Sequence, residues 1–130
     1  MKTMGTLFWD RINNWNLMSE DKDFSYASVN PCAEEPLPSG GSCLLASINL
    51  SEFVKNSFTE NATFDYKNFT EVVREGVIYL NEVLDEGLPL HPLKEQRDTV
   101  RDLRQIGLGV MGIADMLIKL GLKYGSQESL

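Results

Sequence analysis

The sequence predicts a mostly helical chain with little strand, and three observations carry that expectation. Following Asp65, the residues Phe69, Val72, Val73, Val77, Leu80, Val83 and Leu84 recur at helical spacing. A second apolar stripe runs through Leu103, Ile106, Val110, Met111, Ala114, Leu117 and Ile118. Residues 30–42, NPCAEEPLPSGGS, hold three prolines and two glycines, which interrupt both helix and sheet ladders.

The elements follow in chain order. Phe8, Trp9, Ile12 and Trp15 fall near helical spacing, so a short helix is expected around residues 6–15. The Pro- and Gly-rich stretch then forms a loop. The run CLLASINL that follows is short and apolar, and periodicity alone does not decide between strand and helix. A helix is expected over 65–86, with Asp65 as N-cap and Gly87 with Pro89 as its stop. The second stripe predicts a helix over 99–120, with Gly121 as C-cap. Inside it, Gly107, Gly109 and Gly112 each cost roughly 1 kcal/mol relative to alanine. Close approach of a helix or of another backbone is the expected compensation.

Composition bounds the function. At 130 residues, with 42% hydrophobic and 24% charged residues, the chain is one soluble globular domain or less. It has no internal repeat. The net charge of −7 is spread among interspersed residues of both signs. That disfavours a nucleic-acid surface, which needs clustered Lys and Arg, but it leaves room for a nucleotide site with a few local donors. No apolar run is long enough to span a bilayer. MKTMGTLFWDR lacks the apolar core and cleavage site of a signal peptide. With only Cys32 and Cys43, the chain is no disulfide scaffold, and a cytoplasmic setting is expected. The single histidine, His91, and two separated cysteines lack zinc spacing, so no metal site is expected.

The chemistry-bearing residues gather at 30–34. Pro31 disfavours the helical region for Asn30 and pushes it toward extended backbone. In an extended segment, side chains at i, i+2 and i+4 share a face. Asn30, Cys32 and Glu34 would then present an amide, a thiol and a carboxylate together. Such a set suits a small polyhydroxylated substrate: the carboxylate takes a hydroxyl proton, the amide orients a hydroxyl and the thiol does redox chemistry. Alternatively, Asn, Cys and Glu in a Pro-rich turn are simply solvated or capping groups.

Other signals are weaker. GLGVMG at 107–112 fits the dinucleotide-binding pattern G-x-G-x-x-G, but RDTVRDLRQ before it reads as helix where that pattern needs a strand. Ser39, Gly40, Gly41 and Ser42 offer backbone donors for an anion or form a plain flexible turn. Lys119 and Lys123 suit the C-terminal dipole of the last helix.

Three stretches carry a resemblance. NPCAEEPLPSGGSCLLASINLSEFV resembles the finger-loop region of ribonucleotide reductase large subunits. RDLRQIGLGVMGIADMLIKLGLKYGS resembles the helical segment that follows it, and GTLFWDRINNWN is also similar to the family. The resemblance covers most of the chain in the right order.

It implies a mostly helical fragment of a ten-stranded α/β barrel, carrying the finger loop and the redox cysteine at 30–43. Cys32 matches the cysteine that becomes a thiyl radical and abstracts the ribose 3′ hydrogen. Glu34 matches the carboxylate that deprotonates the 3′ hydroxyl, and Asn30 the amide that hydrogen-bonds a ribose hydroxyl. Cys43 matches one of two cysteines that reduce the substrate radical and end as a disulfide. A thiyl radical and a two-electron dithiol donor cannot be the same sulfur. Pro31 before the cysteine resembles the adenosylcobalamin-dependent class, so adenosylcobalamin is the expected cofactor. The resemblance further implies a ribonucleoside di- or triphosphate substrate, the remainder of the barrel as partner, a thioredoxin-type reductant and a homodimeric whole protein. After Cys43 the family often has Asn-Leu-Gly where this chain has Leu44-Leu45-Ala46. No partner cysteine for Cys43, phosphate-binding loop or C-terminal cysteine pair is recognised. The expectation is a fragment, inactive alone. The competing expectation is a small acidic helical interaction module, using an exposed apolar patch on two long helices.

Overall fold

The structure, a computed structural model, describes residues 6–130. The first residues of MKTMGTLFWDR, on which the expectation of no signal peptide partly rests, lie outside the described part. In chain order the elements are α1 (Trp9–Asn14), β1 (Ser28–Val29), β2 (Pro36–Leu37), β3 (Leu44–Asn49), β4 (Val54–Lys55), β5 (Thr63–Phe64), α2 (Tyr66–Gly87), α3 (Lys94–Leu103), β6 (Ile106–Met111) and α4 (Ile113–Leu120). Short 3₁₀ turns lie at Leu50–Phe53, Leu88–Leu90 and Gln127–Ser129. The chain forms two compact units. One comprises the described residues up to Ser42 with Leu88–Leu103, the other Cys43–Gly87 with Arg104–Leu130.

The second unit is built on a parallel pair. β3 and β6 run side by side in register, from Leu44 opposite Ile106 to Asn49 opposite Met111. A parallel pair needs a long crossover, and α2 supplies the helix that packs against both strands. Gly76, in the middle of α2, permits that packing: a Cβ there would lie 3.2 Å from Leu108 Cδ2 on β6. Asp65 caps α2, its side chain accepting from Asn68 N at 3.2 Å and its carbonyl from Phe69 N at 3.0 Å. The core gathers the buried Phe53, Leu80, Leu84 and Leu117. Phe53 meets the rings of Phe64 and Phe69 at 5.9 and 5.4 Å between centroids, the second edge-on. The antiparallel pair β4–β5 brings Phe64 to this cluster.

The helix expected over 99–120 does not exist. Instead α3 ends at Leu103, Ile106–Met111 is a strand, and a separate α4 begins at Ile113. The fold is therefore of mixed helix and strand content, not mostly helical. The physical reason is legible afterwards. Ile106, Leu108 and Val110 alternate with Gly107 and Gly109, a period of two, and glycine is a poor helix former. CLLASINL supplies the ladder that a six-residue strand needs. Arg104, with φ of 45°, turns the chain out of α3. Gly112 does have a close neighbour, but it is the Asn49 side chain and not the helix or backbone that was expected. Gly112 sits at φ 73° as the N-cap of α4, and a Cβ there would collide with Asn49 Oδ1. Gly121 ends α4 as expected, at φ 72°, with Gly121 N donating to Ile118 O and Leu122 N to Leu117 O.

In the first unit, α3 anchors the segment that follows β2. Ser39 Oγ donates to Glu95 Oε1 at 2.7 Å, and Thr99 Oγ1 donates to Ser39 O at 3.1 Å. Gly40 at φ 69° lies so close to α3 that a Cβ would meet Thr99 Oγ1 at 3.0 Å and the Glu95 carbonyl at 3.2 Å. Arg97 Nη1 donates to the His91 carbonyl at 2.7 Å, which ties the loop before α3 to the helix. Among the described residues, no helix is long and apolar enough to cross a membrane.

Candidate functional site

Cys32 and Glu34 lie in one four-residue hairpin loop, and Asn30 stands at its base. β1 and β2 pair antiparallel, Ser28 opposite Leu37 and Val29 opposite Pro36. Asn30 N continues the ladder by donating to Glu35 O at 3.2 Å, so residues 31–34 form the loop. The backbone there is not extended. Ala33 N donates to Asn30 O at 2.9 Å, which makes Asn30–Ala33 a tight turn, and Ala33 follows in the left-handed region at φ 68°. Pro31 stands second in this turn, where its fixed φ is favoured. The expected extended edge is thus replaced by a turn. Proline excludes helix for the residue before it, but it also favours turns, and the turn prevails. The alternation argument for a shared face falls with the extended backbone.

The capping alternative holds for part of this set. Asn30 Oδ1 accepts from Glu35 N at 3.0 Å, so Asn30 works on its own loop. Cys32 is an exposed thiol, and Glu34 beside it is exposed too. Cys43 belongs to the other unit, half-buried directly before β3, with its sulfur 3.6 Å from Leu44 O. Cys32 and Cys43 both carry thiols. His91 joins no metal-ligating group: among the described residues, no set of three His, Cys, Asp or Glu is arranged to hold a metal ion.

The segment Ser39–Ser42 is a turn held in place by hydrogen bonds. Gly41 N donates to Pro38 O at 3.0 Å, and the segment is pinned to α3. The dinucleotide pattern at 107–112 fails on placement. Gly107 and Gly109 lie within β6, paired opposite Leu45 and Ser47, instead of in a turn after a strand. Lys119 does more than complement a helix dipole. Its Nζ donates to Ser51 O at 2.8 Å and lies 3.7 Å from Glu52.

One residue that supports the second unit was not foreseen. Arg104 forks onto α2, with Nη1 2.7 Å from Asp85 Oδ1, Nη2 3.1 Å from Asp85 Oδ2, and Nε and Nη2 at 3.1 and 2.9 Å from Asn81 Oδ1. The guanidinium holds the Asp85 carboxyl below its ordinary range, and the carboxylate raises Arg104 in return. Next to it, Gln105 O accepts from Leu44 N at 3.2 Å. Arg104 therefore fixes where β6 starts, at the same end of the sheet as Cys43. The fork-shaped requirement of a guanidinium is not written in sequence spacing, since Asn81 and Asp85 lie 19 to 23 residues away.

The second unit, a parallel strand pair crossed by a helix, is an α/β segment. Comparison with known proteins gives the family. The family model described as "Ribonucleotide reductase, barrel domain" matches residues 2–130. A vitamin B12-dependent ribonucleoside-diphosphate reductase of Thermoplasma acidophilum is 40% identical over 126 residues, covering 97% of this chain and 15% of that protein. A protein of the same name from Mycobacterium tuberculosis is 35% identical over 126 residues, covering 97% of the chain and 17% of the relative. The ribonucleoside-diphosphate reductase large subunit of African swine fever virus is 32% identical over 100 residues, 77% of this chain and 12% of that protein. The chain belongs to the ribonucleotide reductase barrel-domain family, and it spans about a sixth of the length of its B12-dependent relatives.

Proposed function

We propose that the chain supplies the radical-cysteine loop of a ribonucleotide reductase catalytic barrel, which reduces ribonucleotides to deoxyribonucleotides for DNA synthesis. One observation carries this: Cys32 is an exposed thiol in a closed hairpin loop that also holds Glu34, in a chain of that family. As a thiyl radical, Cys32 removes the ribose 3′ hydrogen and returns a hydrogen atom at the end. Glu34 takes the 3′ hydroxyl proton, and the 2′ hydroxyl leaves as water. The NH₂ end of Asn30 donates to a ribose hydroxyl. Cys43, with a partner thiol from the remainder of the barrel, gives up two electrons and two protons and ends as a disulfide, so each turnover consumes one dithiol. A thioredoxin-type reductant would restore it. The relatives are named as diphosphate reductases, which favours a ribonucleoside diphosphate over a triphosphate.

The B12-dependent names favour adenosylcobalamin as cofactor. When bound, it supplies the radical chemistry that a thiol alone lacks. The residue such chemistry needs is a thiol that a bulky group can approach, and Cys32 fits by its exposure. A cytoplasmic, reducing setting and a homodimeric whole protein complete the proposal. The interaction-module alternative has lost one of its two long helices, since the second is divided into α3, β6 and α4.

The test uses a complete reductase carrying this segment. Cys32→Ser is expected to abolish turnover with the natural reductant and with dithiothreitol alike. Cys43→Ser is expected to block repeated reduction while part of the radical chemistry survives. Equal, mild effects of the two changes would refute the assignment.

A further inference from the structure

We infer that Asn30 is a positioning residue for Cys32: its side-chain carbonyl, in place of a ladder bond, closes the loop that carries the sulfur. In an ordinary antiparallel closing pair, two residues exchange both N–H···O bonds. Asn30 and Glu35 exchange one, from Asn30 N to Glu35 O at 3.2 Å. The return bond is missing, and Asn30 O accepts instead from Ala33 N at 2.9 Å. Glu35 N would be left without an acceptor, and Asn30 Oδ1 takes it at 3.0 Å. One residue thus makes all three bonds that shut the loop.

Among the described residues, little else holds the loop closed. The ladder below has two residue pairs, too short to impose a loop shape on its own. Ala33 sits at φ 68°, a conformation that a residue with a Cβ leaves unless its surroundings enforce it. Cys32 and Glu34 stand on either side of Ala33, so a loop that relaxes there displaces both.

This inference rests on the reading of Cys32 as the reacting thiol. It adds a second task for Asn30, at the opposite end of the amide from the hydroxyl contact. The carbonyl end accepts from Glu35 N, and the NH₂ end carries both donors. Aspartate keeps the acceptor and loses the donors, whereas alanine loses both, so the two tasks can be separated.

The experiment compares the wild type, Asn30→Ala and Asn30→Asp in a complete reductase carrying this segment. Hydrogen–deuterium exchange is resolved to the Glu35 amide by mass spectrometry, and kcat and KM are measured on the same proteins. Asn30→Ala is expected to speed Glu35 exchange by about tenfold, the size of one net hydrogen bond, and to lower kcat. Asn30→Asp is expected to keep exchange slow and to retain more kcat than alanine, with KM raised by loss of the donors. Unchanged Glu35 exchange in Asn30→Ala overturns the inference, as does an aspartate variant no better than alanine in exchange or in kcat. Turnover that survives Cys32→Ser would instead remove the catalytic reading while leaving the exchange pattern of the loop intact.

Discussion

Replacing Gly112 by alanine tests how the ends of the parallel strands are joined. Two costs add at this position. The backbone stands at φ 73°, where a Cβ costs about 1–2 kcal/mol. The new Cβ would also collide with Asn49 Oδ1, which already accepts from Ser51 N at 3.2 Å and Ser51 Oγ at 3.0 Å. Asn49 must swing away, and two net hydrogen bonds of about 1 kcal/mol each are lost. The sum is about 3–4 kcal/mol. Gly121→Ala is the control, because Gly121 has the same backbone conformation, φ 72°, with nothing within 4 Å of its Cβ position. It should cost only the backbone share. With a urea slope of roughly 1–3 kcal/mol per molar, the midpoint of Gly112→Ala should fall below that of Gly121→Ala by about 1 M. Asn49→Ala in the Gly112→Ala background should cost less than Asn49→Ala alone, because the capping bonds are already gone. Equal midpoints for the two glycine variants would refute the contact argument.

Arg104→Lys should lower the urea midpoint almost as much as Arg104→Ala, since an ammonium cannot fork onto Asn81 and Asp85 together; lysine matching the wild type would count against the clamp. Asp65 is held below its ordinary value of 3.8, first by the Lys55 ammonium at 2.5 Å and then by the Asn68 N–H. Because the folded value is the lower one, its contribution is complete above pH 3.8 and is lost as pH falls through the depressed folded value. The urea midpoints of wild type and Asp65→Asn should therefore differ at neutral pH and converge in acid, and a gap that is independent of pH would contradict this. Gly40→Ala should loosen the segment after β2 from α3, since its Cβ would press on the Glu95 carbonyl at 3.2 Å; proteolysis at residues 38–42 should accelerate, and resistance equal to the wild type would oppose that packing.

The parts legible in the sequence were those set by local chemistry. α2 was readable because one apolar stripe, an Asp cap and a terminal glycine all agree on its bounds. Gly121 was readable as a C-cap for the same reason. β6 was hidden because its partner lies far away in sequence: apolar residues at 103, 106, 110 and 117 satisfy a helix as well, and only the run at 44–49 makes the strand worth forming. The loop at 30–34 was readable in composition and misjudged in shape. Proline at 31 is compatible with both an extended chain and a turn, and the choice depends on a pairing between Ser28–Val29 and Pro36–Leu37 too short to announce itself. The Arg104 clamp needed three-dimensional placement of α2 before its partners could be named. The membership of the family was carried by the motifs themselves, independently of the errors in secondary structure.

The register that sets Leu44 opposite Ile106 has a consequence for biosynthesis. Some sixty residues separate the two partners, so at roughly 5–20 residues per second a ribosome takes about 3–12 s to deliver the second strand after the first. Until then β3 lacks β6, while α2, which ends at Gly87, is finished before β6 is made and packs against β3. The order of synthesis therefore lets the crossover helix cover one face of the first strand before the second strand is available to pair with it.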